Sequence, residues 1–369
     1  MIESSTIGFI GFGLIGGSIA RAIRENYPLC TMIAYNYHTR PNQALLDAKE
    51  EGVLNEVDED LTIHFPLCDI IFLCAPVLKN IEYLHVLKKI LKPNCLLTDV
   101  GSVKGNIEEA VRTLGLSKNF IGGHPMAGSE RIGYHNSNAR LLENAYYILT
   151  PTKDTTEDHL SMMHAIIACT HAIPITLDSK KHDDIVAAIS HLPHIIASAL
   201  VNLVANNDDE SNQMLSLAAG GFKDITRIAS SSPAMWQNIC LTNPESILKF
   251  LKLFQASVDQ VSEAIENQAQ EFLYSYFDSA KNCRDSIPTQ KSGFISRTYE
   301  IYMDILDEAG AIASIATSLA IHHISIKNIG IIHNREFEDG VLRIELYDNT
   351  SYEKAITLLK KQNHTIYER

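Results

Sequence analysis

Thr6-Ile7-Gly8-Phe9-Ile10-Gly11-Phe12-Gly13-Leu14-Ile15-Gly16-Gly17-Ser18 opens the chain with a short β run, a glycine-spaced turn and the start of a helix. The helical pattern continues through Ile19, Ala20, Ala22 and Ile23. Gly-x-Gly-x-x-Gly by itself is common, but between a strand and a helix it has the context of a dinucleotide fingerprint. Gly11 would make the turn, Gly13 would admit a pyrophosphate, and Gly16 would let helix and strand pack closely. The phosphates would rest on the helix N-terminus, against Leu14 and Ile15. An acid is expected about twenty residues further on to hold the ribose hydroxyls. This chain has Asn36 there, with His38 and Arg40 beyond it. Asparagine does not repel a 2'-phosphate and Arg40 could pair with one, so NAD is expected with NADP possible.

Outward from that stretch the chain alternates. Met32–Tyr35 reads as a second strand and Asp69–Val77 as a buried strand that ends in a loop at Ala75-Pro76. Ile81–Leu91 reads as an amphipathic helix, and Cys95–Val100 as a strand followed by Gly101-Ser102-Val103-Lys104. Phe120-Ile121, Ala145–Leu149 and Ile173–Leu177 complete the strand set. Alternating strands and helices predict a Rossmann-type, doubly wound, mostly parallel sheet over residues 1–178. Ligands of such sheets bind beyond the carboxyl ends of the strands. The glycine turn, Ala75, Pro76, Ser102 and His124 all follow strands, so they are expected to share one crevice.

His124 lies in Gly122-Gly123-His124-Pro125-Met126-Ala127-Gly128-Ser129-Glu130, read as a rigid loop that presents a single imidazole. The two glycines would let the backbone pass close to a bound molecule, and Pro125 biases His124 toward extended geometry. From about Asp178 the strands stop, and residues 179–290 read as an all-helical domain. In Lys180–Ala205, Asp183, Ser190 and His194 fall on one polar stripe of an otherwise apolar helix, with a kink expected at Pro193. His191 and His194 have no cysteine or third histidine nearby, so no metal is expected. Arg227, in Gly221–Ala229, sits among small and apolar residues, where an arginine pairs with an acid such as Asp224 or with an anionic ligand.

The composition is that of a globular protein: 369 residues, 46% hydrophobic, 20% charged. A net charge of −13 without a basic stripe argues against a nucleic-acid partner. No run of residues reads as a membrane span or a signal peptide, and the seven scattered cysteines read as reduced thiols, so a cytoplasmic location is expected. The apolar helical region, with Ile247, Leu248, Leu251 and Phe254, is expected to form a homodimer. Past a linker at Pro288–Gly293, residues 297–369 show a β-α-β-β-α-β order, which predicts a ferredoxin-like α+β domain.

Taken together, Gly11–Ser18, Gly101–Lys104, Gly122–Glu130, Ser190-His191-Leu192-Pro193-His194 and Gly221–Arg227 resemble the prephenate dehydrogenase family of tyrosine biosynthesis, over nearly the whole chain. The tail resembles an ACT domain. The resemblance implies oxidative decarboxylation of prephenate to 4-hydroxyphenylpyruvate with hydride transfer to the nicotinamide. It implies that His124 bonds the ring hydroxyl with Ser102 nearby, and that His194 and Arg227 bind the substrate, with Ser190 and Asp183 on the same stripe. In the ACT-like tail, Asp307-Glu308-Ala309-Gly310 and Asn328 would form an amino-acid site, and L-tyrosine is the expected feedback effector. Two alternatives stand beside this reading: an arogenate dehydrogenase, and a nucleotide-dependent amino-acid sensor without activity.

Overall fold

The glycine-rich turn lies at the middle of an eight-stranded sheet in the computed structural model, which describes residues 2–37, 42–128, 132–209, 212–287, 299–305, 308, 310–332, 340–362 and 364–367. The first elements are β1 (Thr6–Ile10), α1 (Leu14–Asn26), β2 (Thr31–Tyr35), α2 (Gln43–Glu50) and β3 (Glu56–Val57). The chain then crosses β1 through β4 (Ile70–Leu73), α3 (Val77–Leu87), β5 (Leu96–Asp99), α4 (Gly105–Thr113) and β6 (Phe120–Pro125). It closes the sheet with β7 (Tyr146–Pro151), α5 (Glu157–Cys169) and β8 (Ile173–Thr176). The order is β3-β2-β1-β4-β5-β6-β7-β8, and every pair is parallel except β6 with β7. The strand order reverses between β1 and β4, which places the topological switch at the glycine turn. Ile7, Phe9 and Ile10 of β1 and all four residues of β4 are buried, the near-continuous apolar pattern of a sheet covered on both faces.

Several details differ from the sequence expectation. The helix predicted at 81–91 starts at Val77, directly after Pro76. Proline pre-sets φ for that start, so the helix is earlier than its apolar spacing alone implied. The short edge strand β3 went unpredicted, because two residues carry no periodicity. His124 is in a strand rather than a loop. β6 runs through Pro125, paired to β7 with His124 opposite Ile148, so His124 is extended as its proline neighbour requires.

The helical part comprises α6 (Ser179–Val186), α7 (Leu192–Asn207), α8 (Gln213–Ser216), α9 (Gly220–Thr226), α10 (Pro233–Thr242), α11 (Pro244–Glu266) and α12 (Gln270–Ser286). A π turn over Ala187–His191 joins α6 to α7, and Pro193 falls in the first turn of α7. Proline cannot donate to the carbonyl four residues back, and a π turn upstream takes up the mismatch. The extra residue changes the helical phase. Asp183 therefore does not share the stripe of Ser190 and His194 that a uniform 3.6-residue period predicted. Ser179–Asn207 is long and apolar enough to cross a bilayer by length and composition only. His182, Asp183 and His191 are nonetheless buried along it, within the polar network described below.

Met1–Gly293 and Phe294–Arg369 form two separate units. The second holds β9 (Tyr299–Ile305), α13 (Ala311–Ile321), β10 (Ile326–Ile332), β11 (Gly340–Leu346), α14 (Asn349–Lys361) and β12 (Ile366–Tyr367). Its antiparallel sheet has the order β10-β11-β9-β12, the ferredoxin-like arrangement, over a core that includes Ile301, Met303, Leu319, Leu342 and Leu359.

Candidate active site

The crevice begins where β1 ends. Gly11 has φ +89°, and a Cβ there would lie 2.4 Å from the Ala75 amide nitrogen, so only glycine lets the turns after β1 and β4 meet. Space beside Gly13 is open, and α1 starts without a side-chain cap, which leaves its first-turn amides at Leu14, Ile15 and Gly16 for an anion. These features fit a dinucleotide pyrophosphate. Asn36 turns toward this loop: its Oδ1 accepts from Phe12 N at 2.5 Å and its Nδ2 donates to Phe12 O at 3.4 Å. Its amide thus grips the glycine turn, a role that the ribose reading did not include. Arg40 lies outside the described residues. The Ala75-Pro76 turn is held by buried Asn80, a residue the sequence analysis passed over. Asn80 Oδ1 accepts from Ala75 N at 3.1 Å and its Nδ2 donates to Ala75 O at 2.8 Å and Leu73 O at 3.2 Å.

Beside this crevice, the ends of β5 and β6 are tied by a buried ion pair. Lys104 and Asp99 are both fully buried; the Lys104 ammonium bonds the Asp99 carboxylate and donates to Gly123 O at 2.7 Å. Asp99 also accepts from Gly101 N at 2.9 Å and Gly123 N at 3.2 Å. Ser102 is half-buried within this Gly101–Lys104 turn, so the bonds carry its loop alongside His124. The glycines before His124 serve protein packing rather than a ligand. A Cβ at Gly122 would meet Thr150 Oγ1 at 2.2 Å, and one at Gly123 would meet Asp99 O at 2.6 Å. The strands approach too closely there for any side chain. Ser129 and Glu130, at the end of the same sequence stretch, lie outside the described residues.

His124 contacts α6. Its Nδ1 lies 2.8 Å from Nε2 of buried His182, whose Nδ1 lies 2.8 Å from Asp183 Oδ1. Asp183 also accepts from the backbone N–H groups of Lys104 and Gly105, each at 2.8 Å. It therefore backs the site and does not face the substrate crevice. His182 was missed in the sequence, where only its neighbour stood out; a histidine beside the one buried acid of an amphipathic helix was the available signal. Desolvation holds His124 well below the usual histidine pKa, with His182, Lys104 and His191 adding to the effect. A neutral imidazole is the form that can take a proton.

The helical side supplies a second group. His194 Nδ1 lies 3.0 Å from Ser190 O, and its ring stacks on Trp236 with centroids 3.8 Å apart. Arg227, at the start of a 3-10 turn after α9, is near enough that its charge lowers the His194 pKa, after the larger effect of burial. The structure thus brings His194 and Arg227 together; the Ser190 carbonyl orients the His194 ring. Buried His191 fills the space behind, 3.4 Å from Asn243 Nδ2, and burial pushes its pKa down to about 4. Among the described residues, His191 Nε2 and Trp236 Nε1 are buried without a hydrogen-bond partner.

Known proteins resemble the chain along most of its length. Residues 19–174 match the family model described as prephenate dehydrogenase, nucleotide-binding domain, and residues 178–279 match prephenate dehydrogenase, dimerization domain. A prephenate dehydrogenase of Bacillus subtilis is 36% identical over 357 residues, spanning 95% of this chain and 94% of that protein. One from Lactococcus lactis is 33% identical over 360 residues, covering 95% and 96%. Among solved structures, the Aquifex aeolicus prephenate dehydrogenase in complex with hydroxyphenyl propionate and NAD+ superposes with a TM-score of 0.72 at 31% identity, covering 77% of this chain and 98% of that one. The Synechocystis arogenate dehydrogenase gives a TM-score of 0.67, also at 31% identity, covering 77% and 100%.

Proposed function

This chain belongs to the prephenate dehydrogenase family, and we propose that it oxidises and decarboxylates prephenate to 4-hydroxyphenylpyruvate, with NAD held on the Gly11–Gly16 turn. The observation that carries the reading is a neutral histidine on a strand end, His124, beside the Ser102 turn and in the same unit as a His194–Arg227 cluster suited to a carboxylate. NAD+ supplies the hydride acceptor when bound. His124 takes the proton of the ring hydroxyl as that carbon is oxidised, and Ser102, on the adjoining Gly101–Lys104 turn, holds the same oxygen. Arg227 and His194 bind a substrate carboxylate, where the planar guanidinium gives two parallel bonds. The ring carboxylate leaves as carbon dioxide, its bonding pair completes the aromatic ring, and His124 returns the proton to the phenolic oxygen. No net proton is released.

The test is absorbance at the reduced-nicotinamide band with prephenate and each cofactor, in wild type and His124→Asn. Wild type should turn over with NAD, and the variant should lose about a hundredfold or more in kcat while still binding cofactor. Near-normal turnover by the variant would remove His124 from the mechanism. Similarity to the Synechocystis arogenate dehydrogenase supports arogenate as a second substrate, so both are compared in the same assay.

A homodimer through the helical part is proposed as well, on the dimerization-domain match and on exposed Leu248, Leu253, Phe254, Phe272 and Phe277. A cytoplasmic location is proposed on the match to biosynthetic dehydrogenases. The C-terminal unit is proposed to be an ACT module that binds L-tyrosine. Its ferredoxin-like topology supports this, as does the N-terminus of α13, where Gly310 (φ +94°) provides no side-chain cap. Glu308 is exposed there and Asn328 is exposed on β10; Asp307 and Ala309 lie outside the described residues. Truncation before Arg297 should leave activity but abolish inhibition by tyrosine. Equal inhibition of the truncated chain would place tyrosine in the active site instead.

A further inference from the structure

The reaction needs one nitrogen of His124 free to accept a proton, and the hydrogen bonds behind it determine which. Asp183 anchors the chain of contacts. Two backbone N–H groups, from Lys104 and Gly105, point at its carboxylate, so its oxygens act as acceptors. His182 Nδ1, 2.8 Å from Asp183 Oδ1, is then the donor of that bond. A neutral ring protonated at Nδ1 has its lone pair at Nε2, and that atom lies 2.8 Å from His124 Nδ1. His124 therefore donates from Nδ1 and keeps its own lone pair at Nε2.

Resting on the proposed oxidation, we infer that His182, backed by Asp183, is a positioning residue that holds His124 in the Nδ1–H form and shares the positive charge while His124 Nε2 carries the substrate proton. The logic is that of a carboxylate that orients a histidine base, with a second imidazole interposed. The proton step balances within this chain. The substrate O–H bond breaks, an Nε2–H bond forms, and the same proton goes back to the phenolic oxygen after decarboxylation, so the relay needs no outlet. On its far side Asp183 borders a surface hollow of about 310 Å3 shared with Gly105, Lys180 and Asn243, which puts the anchoring end of the relay away from the substrate. The other ionisable groups that act on the His124 ring are Lys104, neutralised by Asp99, and His191.

The experiment is His182→Gln in the full-length enzyme, assayed with prephenate and NAD across pH. Glutamine fills the space and can accept from His124, but it cannot pass on the charge of Asp183. The expected result is a fall in kcat of about 10- to 100-fold with the prephenate KM changed by less than about threefold. The acid limb of kcat/KM should also move, because His124 loses both the link to the Asp183 carboxylate and the His182 ring that acts on its protonation. A variant with the wild-type thermal midpoint, a kcat within about threefold of wild type and an unmoved acid limb overturns the inference. Nitrogen-15 NMR of the wild-type rings reads the same point without any substitution: a proton on His124 Nδ1 is expected, and one on Nε2 overturns it. Failure of the wild-type enzyme to oxidise prephenate at all would instead overturn the parent reading.

Discussion

Lys104→Met isolates the buried lock on which the strand that carries His124 depends. Lys104 and Asp99 are fully buried, and the ammonium also holds Gly123 O, one residue before His124. Methionine keeps most of the volume but removes the charge, leaving the Asp99 carboxylate buried without a counterion. Breaking such a pair from one side costs about 3–5 kcal/mol. Asp99 retains two backbone donors, Gly101 N and Gly123 N, so the lower end, about 3 kcal/mol, is expected. The assay is denaturant unfolding followed by fluorescence of the single tryptophan, Trp236, which stacks on His194 in the same unit. Adding Asp99→Asn removes the stranded charge, and the double variant should recover at least about half of the loss. A loss below about 1 kcal/mol for Lys104→Met, or a double variant no more stable than the single one, would refute the argument.

The remaining predictions are briefer. His191 titrates near 4 in the folded chain and near 6.5 unfolded, so as pH falls through that window the unfolded state takes the proton first and stability drops by about 3 kcal/mol; the loss is fully present below about pH 4, and His191→Gln should flatten this part of the stability profile between pH 7 and 4. Arg227→Ala should raise the prephenate KM about tenfold or more with a smaller change in kcat; a lost thermal transition would point to a structural role instead. Asn36→Asp keeps an acceptor for Phe12 N but loses the donor to Phe12 O and adds a charge near the ribose position, so the NADP-to-NAD ratio of kcat/KM should fall about tenfold. An unchanged ratio would mean that residue 36 serves only the glycine turn.

Much of the architecture was legible because it rests on local signals. Strand, glycine turn and helix are adjacent at Thr6–Ser18, so the nucleotide crevice could be read from one segment. The β9-to-α14 order was legible too, since turn residues separate runs of clear period. The proposed roles of His124, His194 and Arg227 came from the family resemblance that their short motifs carry. What stayed hidden was every feature made by distant parts of the chain meeting. Asp183 looked like a member of a substrate stripe because periodicity assumes one helical phase, and the π turn at Ala187–His191 breaks that phase. His182 had no visible partner, since His124 is 58 residues away in sequence. Lys104 was quoted within Gly101–Lys104, yet nothing local says that it is buried against Asp99. Gly122 and Gly123 were read as room for a ligand, whereas Asp99 and Thr150 occupy that room. The sequence alone determined most of the elements and which end of the sheet carries the nucleotide crevice, because both follow from hydrophobic period and turn chemistry. Only the tertiary structure decided which polar groups face each other, because desolvated hydrogen bonds depend on positions that no local pattern encodes.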